Sequence, residues 1–160
     1  EILSRALRWL YRANDYRIFW DEKLIYRWIA FNSLYNLYNQ ISGHDRGERA
    51  SVVAFEEEFR SSTGQITQHT NLLASFNLQL DRGQNRDVST QLQNAINSGD
   101  ATMTQWALVC VYAARCSLFH GEEKPLTHVS NMIINVSATY LEEYLKKVLP
   151  EFVKYCKQHS

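Results

Sequence analysis

Nine apolar residues in a row, Trp106 to Ala114, constrain the fold of this chain more than any other stretch. They lie inside a helical pattern over 101–124, ATMTQWALVCVYAARCSLFHGEEK. A helix that is apolar on nearly every side belongs in the middle of a bundle. The run is too short to cross a bilayer, which takes about 20 apolar residues. It ends on Arg115, and the segment closes on His120-Gly121. A guanidinium and an imidazole at the end of the most buried helix need a reason, and that reason bears on function.

The rest of the composition narrows the class. Six glycines and two prolines in 160 residues are few for an all-β chain, so helices are favoured. Apolar residues at 45% and charged residues at 21% give an ordinary globular balance, read as one domain over residues 1–160. The chain begins at Glu1, already in helical pattern, which reads as a piece cut from a longer protein. Each half is electrically neutral: nine basic and nine acidic groups in 1–80, eight and eight in 81–160. A protein that grips duplex DNA by its backbone carries a basic excess. Any nucleic-acid contact here is therefore local, transient or built across an oligomer. Cys110, Cys116 and Cys156 lack C-x-x-C spacing, which speaks against a disulfide framework or zinc site and for a reducing cytoplasm. Neither a signal peptide nor a membrane span is visible. The sequon at Asn135 falls in a helical pattern and reads as chance.

Periodicity predicts a first amphipathic helix over 2–13, whose other face carries Arg5, Arg8 and Arg12. That stripe is a solvated face or a local track for phosphate oxygens. A second helix, capped by Asp21 and running to about Ile41, is apolar and rich in aromatics over more than half its circumference and is expected to pack on the 101–120 helix. Asn32, Asn36 and Asn39 fall among those aromatics, and Asn32 is expected to have a specified hydrogen-bond partner. Further helices are predicted over 47–60, 65–76, 88–97 and 127–148. Glu56-Glu57-Glu58 forms a polar face of the third, 81–87 is an exposed loop, and Asp100 caps the 101–120 helix. Pro150 interrupts the last helix, with one short turn beyond. His44 beside Asp45 on a loop and His69 on a polar helix carry little weight as sites. The expected fold is all-α, a bundle of four long antiparallel helices with shorter ones inserted.

Arg115 and His120 stand five positions apart, about 140° around and about 7.5 Å along a continuous helix. Gly121 occupies the position favoured after a helix end, so His120 falls on the last turn and can swing towards Arg115. Histidine moves protons near neutral pH, and arginine holds a phosphate by forked hydrogen bonds. RNA supplies its own nucleophile, the 2′-hydroxyl, so this pair could cut it without a metal. The bland alternative is that both cations favour the helix C-terminus and that Arg115 pairs with a carboxylate such as Glu122.

The segment VYAARCSLFHG resembles the R-x4–6-H signature of HEPN domains, where the motif also ends a long helix of an all-α bundle. RWIAFNSLYNLYN of the second helix is similar to the matching helix of Apea-like prokaryotic members. The resemblance implies a metal-independent endoribonuclease that leaves a 2′,3′-cyclic phosphate, with no cofactor. It implies a homodimer in which two motifs face each other across one cleft, and a toxin or antiphage setting with an antitoxin or sensor domain as partner. Carried over, Arg115 stabilises the phosphate and His120 transfers protons. The family often has Asn directly after the arginine; here it is Cys116, a poor donor, so Ser117 or Asn32 would take that part. Some toxin members carry a tyrosine two residues after the histidine; here that position is Glu122, so modification-type control is not supported. Glu122 and Glu123 would repel phosphates unless Lys124 or a partner subunit offsets them. The alternative is a catalytically silent HEPN-like module for dimerisation or for binding a nucleotide or partner.

Overall fold

The computed structural model describes residues 1–80, 87–119 and 128–159, without the side chains of Phe119, His128 and Val129. The described residues are predominantly α-helical, and their one β contact is an isolated bridge between Gln79 and Asp87. The elements are α1 (Ile2–Ala13), α2 (Trp20–Ser42), α3 (Glu48–Thr63), α4 (Thr70–Ser75), α5 (Val88–Ser98), α6 (Met103–Phe119) and α7 (His128–Gln158). No helix among the described residues is long and apolar enough to cross a membrane. One hydrophobic cluster draws buried side chains from all seven helices.

The core is built on an aromatic spine. Phe31, Tyr35 and Tyr38 of α2 meet Phe55 and Phe59 of α3 and Tyr144, Phe152 and Tyr155 of α7, mostly edge to face. Such pairs add about 0.5–1.5 kcal/mol each beyond the area they bury. α1 lays Ala6 and Ala13 against α2, and α2 packs chiefly on α1 and α7. The expected packing of α2 on the 101–120 helix is therefore corrected. The two touch mainly where Trp28 meets Tyr112, and α6 lies instead among α3, α5 and α7. An all-round apolar helix has no preferred side, so its sequence cannot select its neighbours.

Several local expectations are also revised. α2 starts at Trp20, and the Glu22 carboxylate, rather than Asp21, accepts the Phe19 backbone N–H at 3.0 Å. α4 is much shorter than the expected 65–76 helix. Gln65 and Ile66 bond instead to Thr104 at the entry to α6, and His69 has a left-handed φ of 66°. Pro150 does not end α7, which continues to Gln158. A proline inside a helix costs about 3 kcal/mol. Burying Phe152 completely returns about 1.5–3 kcal/mol, and its ring pairs with Phe55 and Phe59 supply the remainder. Glu56 is not on a polar face at all: it is fully buried, bonded to Arg60 at 2.7 Å, and Arg60 bonds onward to Gln105 at 2.8 Å. Asp100 serves the start of α6 as expected, accepting the Thr102 N–H at 2.7 Å just before the helix.

Candidate functional site

Arg115 stands on the last turn of α6, its side chain 23% exposed. The described residues supply it with a carboxylate that is distant in sequence, Glu48 on the first turn of α3. Arg115 Nη1 donates to Glu48 Oε2 at 3.4 Å. A carboxylate is favoured where Glu48 sits, because the free N–H groups of a helix start carry partial positive charge. The other oxygen, Oε1, accepts from Trp28 Nε1 and from the Tyr35 hydroxyl, each at 3.1 Å. The Arg115 guanidinium lies 5.9 Å from the centre of the Trp28 ring, which packs 5.7 Å from Tyr112. Thus α2 provides the ring and two donors, α3 the carboxylate, and α6 the cation.

The electrostatics follow from that arrangement. Burial and the adjacent Glu48 carboxylate push the Tyr35 hydroxyl far above its ordinary range, so it stays a donor. Burial, followed by the hydrogen bond with Cys116, pushes the Tyr112 hydroxyl up to about 12. Cys116, in the place where the resemblance expects an amide, stands one turn after Tyr112 on the same helix.

Beside the cluster opens a shallow depression of about 710 Å³ lined by Arg46, Glu48, Arg49, Val53, Glu57 and Tyr112, among others. Arg46 is held there by two contacts, a 2.9 Å bond to the Asn39 side chain and a position 5.9 Å from the Tyr38 ring. Asn39 in turn donates to Ser51 Oγ at 2.8 Å. With Arg115 nearby, three guanidinium groups and two carboxylates surround one surface, a local cationic excess in a neutral chain.

Two of the supporting residues expected from the sequence, Asn32 and Ser117, lie within the described residues. Asn32 is half-buried and accepts from Asn36 on its own helix, the specified partner expected of it, and Ser117 is exposed. A second amide of α2, the buried Asn39, donates to Ser51 on α3. His120, Lys124 and Glu122 lie outside the described residues, as does most of the 81–87 loop. His44 and Asp45 are exposed in the α2–α3 connection, and among the described residues there is no cluster of three or more His, Cys, Asp or Glu side chains fit to hold a metal. Glu48, Arg46 and Arg49 escaped the sequence reading. A weak signal existed for Glu48, since a buried Trp or Tyr usually finds a polar partner, but nothing joins it to Arg115, 67 positions away.

Compared with family models, with curated proteins and with solved structures, the chain matches none.

Proposed function

We propose that the chain is a HEPN-like, metal-independent endoribonuclease acting on single-stranded RNA. In this reading α2, α3, α6 and α7 form the four-helix core and α1, α4 and α5 are additions to it. The observation that carries the proposal is the setting of Arg115. It stands near the end of α6, is half-buried, and among the described residues meets the Glu48 carboxylate at 3.4 Å beside a surface with two further arginines. A guanidinium so placed can trade a 3.4 Å carboxylate contact for the forked bonds of a phosphate. His120, five positions on, is the proton-transfer group of the proposal.

The reaction balances without a cofactor. The 2′-oxygen loses its proton and bonds to phosphorus. The bond from phosphorus to the 5′-oxygen breaks, and that oxygen takes a proton. The products are a 2′,3′-cyclic phosphate and a 5′-hydroxyl. Arg115 stabilises charge on the phosphoryl oxygens as the transition state forms, a contribution typically worth about 10²–10³ in rate. Glu48 acts on Arg115 as a positioning residue, and Trp28 and Tyr35 fix Glu48 in turn. A homodimer would bring two such sites to one cleft, and a toxin or antiphage role under an antitoxin or sensor domain fits the same reading.

The test is incubation of mixed single-stranded RNA with wild type and with Arg115→Ala/His120→Ala in EDTA. Cleavage by wild type alone supports the proposal; equal cleavage by both sinks it. A second reading, a silent HEPN-like binding module, is favoured by one observation: Glu48 already neutralises Arg115. It predicts normal dimerisation with no cut RNA at high protein concentration.

A further inference from the structure

We propose that the outward face of α1 is a second nucleic-acid contact, a platform for an unpaired strand that is separate from the surface at Arg115. This does not rest on the cleavage reading and stands even if the chain cuts nothing. Its basis is a ridge formed by Arg8 and Arg12, one turn apart on the exposed side of α1. On one flank lie Leu7 and Tyr11, with Tyr11 83% exposed. On the other lie Arg5 and Trp9, and the Arg12 guanidinium sits 5.2 Å from the Trp9 ring centre.

Charge and exposure together select the occupant. Arg5 is committed to Glu1 at 3.2 Å, whereas Arg8 and Arg12 have no carboxylate partner among the described residues. Two such guanidinium groups in a neutral chain are a local attractor for anions. Tyr11 is almost wholly in water at their side, the kind of flat ring on which an unpaired base stacks. A duplex hides its base faces and would meet only the two arginines, too few phosphate contacts for firm binding. A lipid surface fits α1 less well: its apolar stripe is turned inward on α2 and leaves Leu7 as the exposed aliphatic side chain of the helix, while the exposed Tyr16, Phe19 and Trp20 lie beyond its end. Two cations beside one exposed aromatic ring are therefore matched to phosphates flanking an unpaired base.

The experiment is a fluorescence-anisotropy titration with labelled oligouridylate and oligodeoxythymidylate of about 20 nucleotides, enough to span a groove-type site. The DNA strand lacks the 2′-hydroxyl and stays intact whatever the enzyme does. Both strands are expected to bind wild type. Arg8→Gln/Arg12→Gln should flatten the dependence of log Kd on log salt by about 1.4, the share of two phosphate contacts. Tyr11→Ala should weaken binding by about tenfold at fixed salt, within the range for one stacked base. Adding Arg115→Ala should leave that change in salt slope intact, because two separate surfaces contribute independently, which separates this platform from the cleavage site. The Arg8, Tyr11 and Arg12 substitutions fall on exposed side chains, and an unchanged melting temperature confirms that the fold survives. The proposal is overturned if the arginine variant keeps the wild-type salt slope, if adding Arg115→Ala erases the effect of Arg8→Gln/Arg12→Gln, if a duplex of the same length binds as tightly, or if the chain binds phosphatidylserine vesicles but neither strand.

Discussion

Two glutamate–arginine pairs stand on α3, their glutamates about two turns apart, and they differ in almost every respect. Glu56 and Arg60 are neighbours on one helix, 2.7 Å apart, with Glu56 wholly buried. Glu48 and Arg115 come from different helices, 3.4 Å apart, with both side chains about a quarter exposed. The first pair is tight because a dry environment leaves the carboxylate no other source of compensation, and a hydrogen-bonded guanidinium is the strongest one available. The second is loose, reaches solvent and borders a cationic surface. Arg60 and Arg115 are equally exposed, at 23%, so it is full burial of one partner, together with the shorter distance, that separates a committed pair from one that can exchange. The same criterion places Arg27 with the committed group: 3% exposed, it donates to the Ala138 carbonyl at 2.9 Å and pairs with Glu142, tying α2 to α7.

The contrast can be broken most forcefully at its structural end. Arg60→Ala leaves the Glu56 charge in the core without its guanidinium and should cost about 3–5 kcal/mol of stability, the usual penalty for half of a buried pair. Urea denaturation reads this as a large fall in midpoint; a fall too small to detect would mean that the pair is not the anchor described. Arg115→Ala is the opposite case. Its stability should change by no more than about 1 kcal/mol, as for other partly exposed pairs, while RNA cleavage drops by about 10²–10³, the scale of a lost transition-state contact. A drop in melting temperature with no change in RNA would return Arg115 to a purely structural part.

Glu48→Gln tests whether the loose pair is more than a coincidence of packing. It keeps an acceptor for Trp28 and Tyr35 but loses the charge that orients Arg115. Cleavage should fall about tenfold, corresponding to about 1.4 kcal/mol in the barrier, with the melting temperature nearly unchanged. Glu48→Ala, which also strands the indole and phenol donors, should lower stability by about 1–3 kcal/mol as well.

The smallest effect lies in the pH dependence. Burial raises the Glu56 carboxyl above its ordinary 4.5, against the opposing pull of Arg60. The folded chain then holds this proton to higher pH than the unfolded chain does. The contribution is complete below about 4.5 and is lost as pH rises through the raised value. Glu56→Gln should flatten the stability profile across that window, and urea midpoints measured at several pH values would register it. An unchanged slope would mean that Arg60 cancels the cost of burial.

Which parts of this were legible beforehand follows from the range of the interactions. α1 and α5 fell within a residue or so of their predicted bounds, because their apolar spacing is a local property. Pro150 misled because a strong local signal was outweighed by Phe152 and Tyr155 packing on α3, contacts almost a hundred positions away in sequence. Glu56 looked polar because it stands in a run of three glutamates, and only the fold places one of them inward. At the site, Arg115 was marked by its position after an apolar run. Its carboxylate was not, since a pairing across 67 positions leaves no periodic trace. Asn32 has the hydrogen-bond partner expected of it, Asn36, but the buried Asn39 was not singled out, because a helix buried over most of its surface gives no sequence clue to which amide meets α3.

The most direct measurement is single-turnover cleavage of an end-labelled single-stranded RNA in EDTA by wild type, Arg115→Ala and Arg60→Lys, with the product ends identified chemically. The account predicts 2′,3′-cyclic phosphate ends from wild type and from Arg60→Lys, and the same ends formed about 10²–10³-fold more slowly by Arg115→Ala held at a temperature where it remains folded. Cyclic ends appearing at the wild-type rate with Arg115→Ala would contradict it.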